Sequence, residues 1–125
     1  MTTWTNEELN KIGAAEELQI ASVRSDGTLR NPVTVWVVRL GDDLYVRSVN
    51  GCNGAWFRSA QARHKGHIRF GGVGKDVAFL EEDNPDLNNQ IDAVYRAKYR
   101  RYAANIVNSI VTPQARAATL KLMPR

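Results

Sequence analysis

Cysteine, long apolar runs and acidic residues in the middle of the chain are what this sequence lacks. Cys52 is the only cysteine among 125 residues, so an internal disulfide is excluded and we expect a reducing, cytoplasmic location. No apolar run is long enough to cross a bilayer, and the first residues lack the basic start and apolar middle of a signal peptide. We therefore expect no membrane association. The length predicts a single domain spanning residues 1–125.

Acidic residues are absent between Asp43 and Asp76, an interval that holds six Lys or Arg and two His. Seven more basic residues follow Asp92, again without an acid. The formal net charge is only +4, so the unusual feature is the segregation of charge rather than its total. Such segregation favours an anionic ligand, for example a phosphate-bearing cofactor or a nucleic acid. The solvated faces of a slightly basic protein are the alternative explanation.

Motifs that would define a chemistry are also missing. No Gly-Lys-Ser/Thr follows the glycine-containing loop near residue 50, so the sequence has no P-loop there. His64 and His67 have no Cys, Asp or Glu beside them, whereas a metal site normally needs three or four ligands, so we expect no metal. Cys52 has only distant histidines, which favours a small residue in a tight loop over a nucleophile. Catalytic residues remain unassigned, and enzymatic activity remains open.

Hydrophobic periodicity predicts the element order α-βββ-α-ββ-α-β. A capping box formed by Thr5 and Glu8 predicts a first helix that ends near residue 14. The run from Pro32 to Leu40 is rich in β-branched residues and is interpreted as one strand. From Pro85 to Ile106, apolar residues recur at spacings of three and four, which predicts one long helix. Closing the strands on themselves removes exposed edges, so we predict an α+β fold with a six-stranded, mostly antiparallel barrel and flanking helices.

The stretch YVRSVNGCNGAWFRSA, residues 45–60, contains the features most typical of a binding site. A strand-like run ends in a loop of glycines and amides that leads into a helix, and the first N–H groups and the dipole of a helix favour an anion. Its two glycines allow a ligand to approach the backbone closely. Arg47, Arg58 and Arg63 are close enough in sequence to converge on a phosphate. A basic turn without a ligand is the alternative.

Residues 24–60 resemble the deazaflavin-dependent nitroreductases and their flavin-binding split-barrel relatives. The residues that match the pattern of those proteins are Gly27, Arg30, Pro32, Val33, Gly41, Asp42, Ser48, Gly51, Trp56 and Phe57. The whole chain, including the final TLKLMPR, is more similar still to a bacterial family named as domain of unknown function 2255. The resemblance implies a split β-barrel that forms homodimers, with FMN or a deazaflavin coenzyme at the subunit interface.

Cofactor contacts follow from the same resemblance. Residue by residue, it assigns to the cofactor Arg30, Ser48, Asn50, Gly51, Asn53 and Gly54. Arg47 and Arg58 join them because they flank the loop, where a guanidinium would stabilise negative charge on a reduced ring. Trp56 is expected to pack rather than to touch the ring. The function that we predict is flavin or deazaflavin binding, with reduction of a small organic acceptor as the associated activity.

Two alternatives remain. The same fold, without a cofactor, would hold another small ligand in its pocket. In the second alternative, the interleaved tyrosines and basic residues of YRAKYRRYAA, residues 95–104, would contact nucleic acid. On a helix, however, these tyrosines fall near the apolar face, so nucleic acid is the least favoured partner.

Overall fold

A computed structural model of the protein describes residues 4–70 and 72–125. The strands are β1 (Leu18–Ser22), β2 (Val33–Val35), β3 (Val37–Leu40), β4 (Asp43–Arg47), β5 (Lys65–Phe70), β6 (Val73–Glu81) and β7 (Thr119–Pro124). The helices are α1 (Asn6–Ala14), α2 (Ala55–Arg63), α3 (Pro85–Lys98), α4 (Ala104–Ser109) and α5 (Pro113–Arg116), and a 3₁₀ turn covers Gly51–Asn53. Within the described residues, no helix combines the length and apolarity that crossing a membrane requires.

The seven strands form one antiparallel sheet in the order β2-β1-β5-β6-β7-β4-β3. The two outer strands, β2 and β3, are consecutive in the chain, and Trp36 alone separates them. Because one residue joins the two edges, the sheet has to curve until these edges meet. The result is a nearly closed barrel, which confirms the predicted α+β class and the mostly antiparallel barrel.

The predicted count of six strands is wrong, because the run from Pro32 to Leu40 forms two strands rather than one. Val35 pairs with Leu18 of β1, whereas Val37 pairs with Val46 of β4. The chain changes its pairing partner at Trp36. Alternation of apolar residues continues through this point, so composition alone does not reveal the break.

The barrel interior is filled by alternate residues of its strands. Leu44 and Val46 of β4 point inward and are 0% exposed, as is Phe57 of α2. Leu9 and Ile12 of α1 pack into the same cluster, so α1 and α2 both contribute to the interior core. Each fully buried side chain of this size contributes about 1.5–3 kcal/mol of transfer free energy.

A second core lies on the outer face of β3 and β4, beneath α3 and α4. It comprises Val38, Tyr45, Ile91, Tyr95, Tyr99, Val107 and Ile110. The predicted long helix from Pro85 to Ile106 is wrong, because α3 ends at Lys98 and α4 begins at Ala104. Tyr99 stacks on Trp36 with ring centroids 3.8 Å apart and an interplanar angle of 3°, and Tyr102 lies 5.0 Å from the same ring. These contacts accompany the turn that interrupts the helical periodicity.

Candidate functional site

Two pockets open beside the start of α2. The first, which we call the arginine pocket, has a volume of about 480 Å³ and lies between α2 and the hairpin that joins β1 to β2. Its lining consists of Val23, Arg24, Ser25, Arg30, Ala55, Arg58, Ser59, Ala62 and Arg63. Four of these residues are arginines and none is acidic, so the lining carries a concentrated positive charge.

The β1–β2 hairpin and α2 bring these arginines together. The backbone N–H of Arg24 donates to Thr28 O at 2.7 Å, and Gly27 adopts a φ of 89° that suits glycine in the turn. The N–H of Arg30 donates to Ser22 O at 2.8 Å, which places Arg30 opposite the end of β1. On α2, the lining residues 55, 58, 59, 62 and 63 recur at helical spacings and share one face.

Among the described residues, the guanidinium groups of the arginine pocket are left largely without counter-charge, although Arg24 exerts a charge effect on Asp26. Across residues 4–70 and 72–125, none of them forms an ion pair or donates a side-chain hydrogen bond. The N-cap of α2, Gly54, supplies no side-chain hydrogen bond to the first N–H groups of that helix. A bound anion would receive charge-assisted hydrogen bonds that each contribute about 1.5–3 kcal/mol. The arrangement therefore suits a phosphate or a larger anion.

The second pocket, which we call the apolar cleft, has a volume of about 300 Å³ and lies between β2, the end of β4, and α4. Its lining consists of Val33, Thr34, Val35, Trp36, Arg47, Ser48, Val49, Asn50, Trp56, Ile106, Ser109 and Ile110. Val33, Val49 and Ile106 are 38%, 51% and 45% exposed, which is high for large apolar side chains. A mostly apolar cleft with a few polar groups is the usual form of a small-molecule site.

Arg47 lies beneath the apolar cleft, and its side chain is occupied by the protein. Nε donates to Thr119 Oγ1 (2.9 Å), Nη1 to Asp92 Oδ1 and Ile110 O (3.2 Å), and Nη2 to Asn88 O (3.2 Å) and Asn88 Oδ1 (2.9 Å). These five bonds match the five N–H groups of a guanidinium. An anion would have to displace one of them, so Arg47 supports the cleft rather than offering free donors to it.

The glycines of the loop before α2 are required by packing. Gly51 has a φ of 67°, and a Cβ at this position would lie 2.4 Å from Gln114 Cγ. The Gln114 side chain also donates to Asn50 O at 2.8 Å, which attaches the loop to α5. At Gly54, a Cβ would lie 2.8 Å from Ser48 Oγ. Both glycines therefore permit close contacts within the protein.

The eight predicted cofactor contacts fall into three groups. Arg30 and Arg58 line the arginine pocket. Three others line the apolar cleft: Arg47, Ser48 and Asn50. The remaining three line neither pocket: Gly51, Asn53 and Gly54. The loop before α2 therefore forms part of the cleft wall, and the strongest positive charge lies on the other side of α2.

Two arginines of the arginine pocket are not among the eight contacts predicted from the sequence. Arg63 carries a signal in the sequence, because its closeness to Arg58 already predicts that both converge on a phosphate, and it lies one helical turn beyond Ser59. Arg24 carries none, since its position depends on the register of the β1–β2 hairpin, where Val23 bridges to Leu29. Register is poorly determined by composition.

Metal ligands are scarce in both pockets. Neither lining contains a His, Cys, Met or Tyr side chain. Within the described part of the chain, no group of three or more His, Cys, Asp or Glu residues is placed to hold a metal ion. His67 instead lies 2.9 Å from Asp76 across the β5–β6 hairpin.

Several solved structures share this architecture. The heme storage protein HutZ from Vibrio cholerae superposes with a TM-score of 0.71 at 14% identity, covering 96% of this chain and 89% of that chain. The conserved hypothetical protein Rv2991 from Mycobacterium tuberculosis gives 0.69 at 7% identity, covering 99% and 81%. The F420-H2 dependent reductase FDR-A gives 0.61 at 10% identity, covering 86% and 93%. At such identities the likeness shows a shared fold.

The sequence itself provides the family. No protein of curated function matches it. Residues 8–122, however, match the family described as uncharacterized proteins conserved in bacteria, DUF2255. Since that match spans most of the chain, the protein belongs to the DUF2255 family.

Proposed function

We propose that this protein binds a flavin or deazaflavin coenzyme beside α2 and uses it to reduce a small organic acceptor. The observation that carries the proposal is the arginine pocket, in which four guanidinium groups without ion-pair partners in the described residues lie on one side of α2, with an apolar cleft on its other side. A phosphate-bearing coenzyme with a planar ring has the two chemical halves that such a pair of pockets accommodates. The fold likeness to an F420-H2 dependent reductase supports the same class of cofactor.

Each pocket has a distinct role in this proposal. Arg30 and Arg58 bind the phosphate of the coenzyme, with Arg24 and Arg63 beside them. Val33, Val49 and Ile106 provide the apolar surface for the ring. When bound, the coenzyme supplies hydride transfer, and the protein holds and orients it. Arg47 lines the cleft but is already paired with Asp92, so it offers the ring no free donor.

A homodimer belongs to the same proposal. β2, an outer strand of the sheet, lines the cleft, and three large apolar side chains of the cleft are exposed to solvent. A second copy of the chain against this face would cover these side chains and complete a wall for the ring. The exposed thiol of Cys52 is compatible with the reducing cytoplasm in which we place the protein.

Heme is the cofactor suggested by the likeness to HutZ. Heme iron is usually held by a His, Cys, Met or Tyr side chain, and neither pocket presents one. The flavin class therefore fits the described pockets better than heme does.

The test is a fluorescence titration of the purified protein with FMN, with the deazaflavin coenzyme and with riboflavin, which lacks the phosphate. We expect saturable micromolar binding of a phosphorylated coenzyme. The R30A/R58A double variant should weaken that binding at least tenfold, because it removes two charge-assisted contacts. Riboflavin should bind the wild type and this variant equally.

The matched control is the R69A/R100A double variant, which removes two exposed arginines that line neither pocket. It changes the net charge equally and should retain the wild-type affinity. Failure of both coenzymes to bind at concentrations up to the millimolar range would refute the proposal. The cofactor-free small-ligand module would then take its place.

A further inference from the structure

Three aromatic rings lead from the apolar cleft towards the surface of the protein. Trp36 lines the cleft. Its ring stacks on Tyr99 with centroids 3.8 Å apart and an interplanar angle of 3°, and it lies 5.0 Å from the ring of Tyr102. The rings of Tyr99 and Tyr102 are 6.0 Å apart. Each ring therefore packs against the other two, and we call the three residues the aromatic triad.

The two tyrosines of the triad differ in the groups that accept their hydroxyl protons. The Tyr99 side chain is buried, and its hydroxyl donates to the backbone carbonyl of Glu16 at 2.5 Å. A backbone carbonyl is too weak a base to remove that proton. The hydroxyl of Tyr102 donates instead to the carboxylate oxygen Oε1 of Glu16, whose side chain is 43% exposed. A carboxylate is a base, so Tyr102 has a proton acceptor at the surface.

Cations lie over both tyrosine rings and affect how these rings are oxidised. Lys98 Nζ is 5.2 Å from the centre of the Tyr99 ring, and the Arg101 guanidinium carbon is 5.4 Å from that of Tyr102. Arg101 also pairs with Glu16. Because like charges repel, neither ring suits a radical cation. A tyrosine that loses its proton together with an electron becomes a neutral radical, which a nearby cation does not disfavour. Of the two, Tyr102 has the carboxylate that this loss requires.

We propose that the aromatic triad is an electron relay, which protects the apolar cleft by passing one-electron oxidation from Trp36 to Tyr102. The oxidant is an oxygen-centred radical formed in the cleft when a reduced coenzyme meets O2. It takes one electron from Trp36 and is thereby reduced. Tyr102 returns an electron to the indole, directly or through Tyr99, and its hydroxyl proton passes to Glu16. The products are the reduced oxidant, restored Trp36, a neutral Tyr102 radical and protonated Glu16, so electrons and protons balance.

The test is pulse radiolysis of the coenzyme-free protein with the azide radical, which oxidises tryptophan in preference to tyrosine. The relay rests on the proposed function for the source of its oxidant, but this probe needs no coenzyme, so either proposal can fail alone. Trp36 is more exposed than Trp4 and Trp56, which are each 8% exposed. We expect the absorption of the tryptophan radical to decay as that of a tyrosyl radical grows, at a rate independent of protein concentration. Decay of the tryptophan radical without growth of a tyrosyl radical would overturn the proposal.

Three variants identify the residues of the relay. Y102F keeps the ring but loses the oxidisable phenol, so it should slow the growth of the tyrosyl radical at least tenfold. The control Y45F removes a tyrosine that contacts no aromatic ring in the described part of the chain, and it should leave the rate unchanged. E16Q retains a hydrogen-bond acceptor without a basic carboxylate and should slow the growth at least threefold. An unchanged rate in Y102F or in E16Q, or equal slowing in Y102F and Y45F, would show that the relay does not end at Tyr102 and Glu16.

Discussion

Arg47 and Asp92 form an ion pair that joins β4 to α3, and the side chain of Arg47 in this pair is 0% exposed. The pair belongs to a network in which Asn88 and Thr119 accept further hydrogen bonds from the same guanidinium. The Arg47 guanidinium also lies 5.4 Å from the centre of the Tyr95 ring. Arg47, which directly precedes the glycine-containing loop, therefore acts as an internal cross-link between β4 and α3 beneath the apolar cleft.

The first prediction concerns this ion pair. D92A should lower the free energy of unfolding by about 3–5 kcal/mol, because it leaves a buried guanidinium without its counter-charge. Urea denaturation followed by circular dichroism measures the change. The control is D42A, which removes a 90% exposed carboxylate 3.9 Å from Arg39 and should cost less than about 0.5 kcal/mol. Similar losses for the two variants would show that the buried pair does not anchor α3.

The second prediction concerns Gly51 and its contact with Gln114. G51A combines a positive φ with a Cβ placed 2.4 Å from Gln114 Cγ, so we expect a loss of about 2–4 kcal/mol. The control is G41A, since Gly41 has a similar φ of 63° but a Cβ there would meet no atom within 4 Å. G41A should therefore cost only about 1 kcal/mol.

A double variant separates steric conflict from backbone strain at Gly51. G51A/Q114A removes most of the side chain that the new Cβ would strike. The stability lost in G51A beyond the loss in G41A should therefore be recovered in this double variant. Thermal denaturation of the single and double variants measures this coupling. Strictly additive effects would mean that Gln114 does not press against Gly51.

The sequence predicts the barrel better than it predicts the site, and particular residues show why. Alternation and turn residues identify the strands, because each strand buries one face. The break at Trp36 leaves no trace in this alternation, since the change of pairing partner there is decided by strands distant in the chain. Arg47 is misleading for the same reason, because its partner Asp92 lies 45 positions away.

Arg30 and Arg58 are predicted as cofactor contacts on different grounds. Family resemblance indicates the first and a position beside the loop indicates the second, and the structure brings both to one pocket. Arg24 joins them only through the register of the β1–β2 hairpin, which a single sequence does not determine. Charge segregation along the chain covers Arg58 and Arg63 but neither Arg24 nor Arg30, and it does not give the side of α2 on which the arginines gather.

The third prediction concerns the hydroxyl group of Tyr99. This group donates to Glu16 O at 2.5 Å and accepts from the Val37 N–H at 3.2 Å, while the ring stacks on Trp36. Y99F keeps the stacked ring and leaves buried backbone groups without a partner, so we expect a loss of about 1–3 kcal/mol in urea denaturation. Y102F is the control, since among the described residues the Tyr102 hydroxyl bonds a single group, the exposed Glu16 carboxylate. A loss no larger than that of Y102F would contradict the prediction.

The fourth prediction concerns pH and Lys98. The folded-state pKa of Lys98 is about 8, below its ordinary value of about 10.4. Between these values the unfolded chain binds more protons than the folded chain, so this group makes stability rise with pH from about 8 to 10. Below pH 8 the protonated, partly buried amine is a cost. K98M removes this cost and should be more stable than the wild type at pH 7, by about 1 kcal/mol after allowance for solvent screening.

The stability difference between K98M and the wild type should shrink as the pH approaches 10. Burial raises the pKa of Tyr45 to about 12, and the resulting loss of stability above pH 10 affects both proteins equally. Urea denaturation of both proteins at pH 7, 8, 9 and 10 measures the difference, and K121M serves as the control because Lys121 is paired with Asp43. A difference that stays constant over this range would mean that burial does not lower the pKa of Lys98.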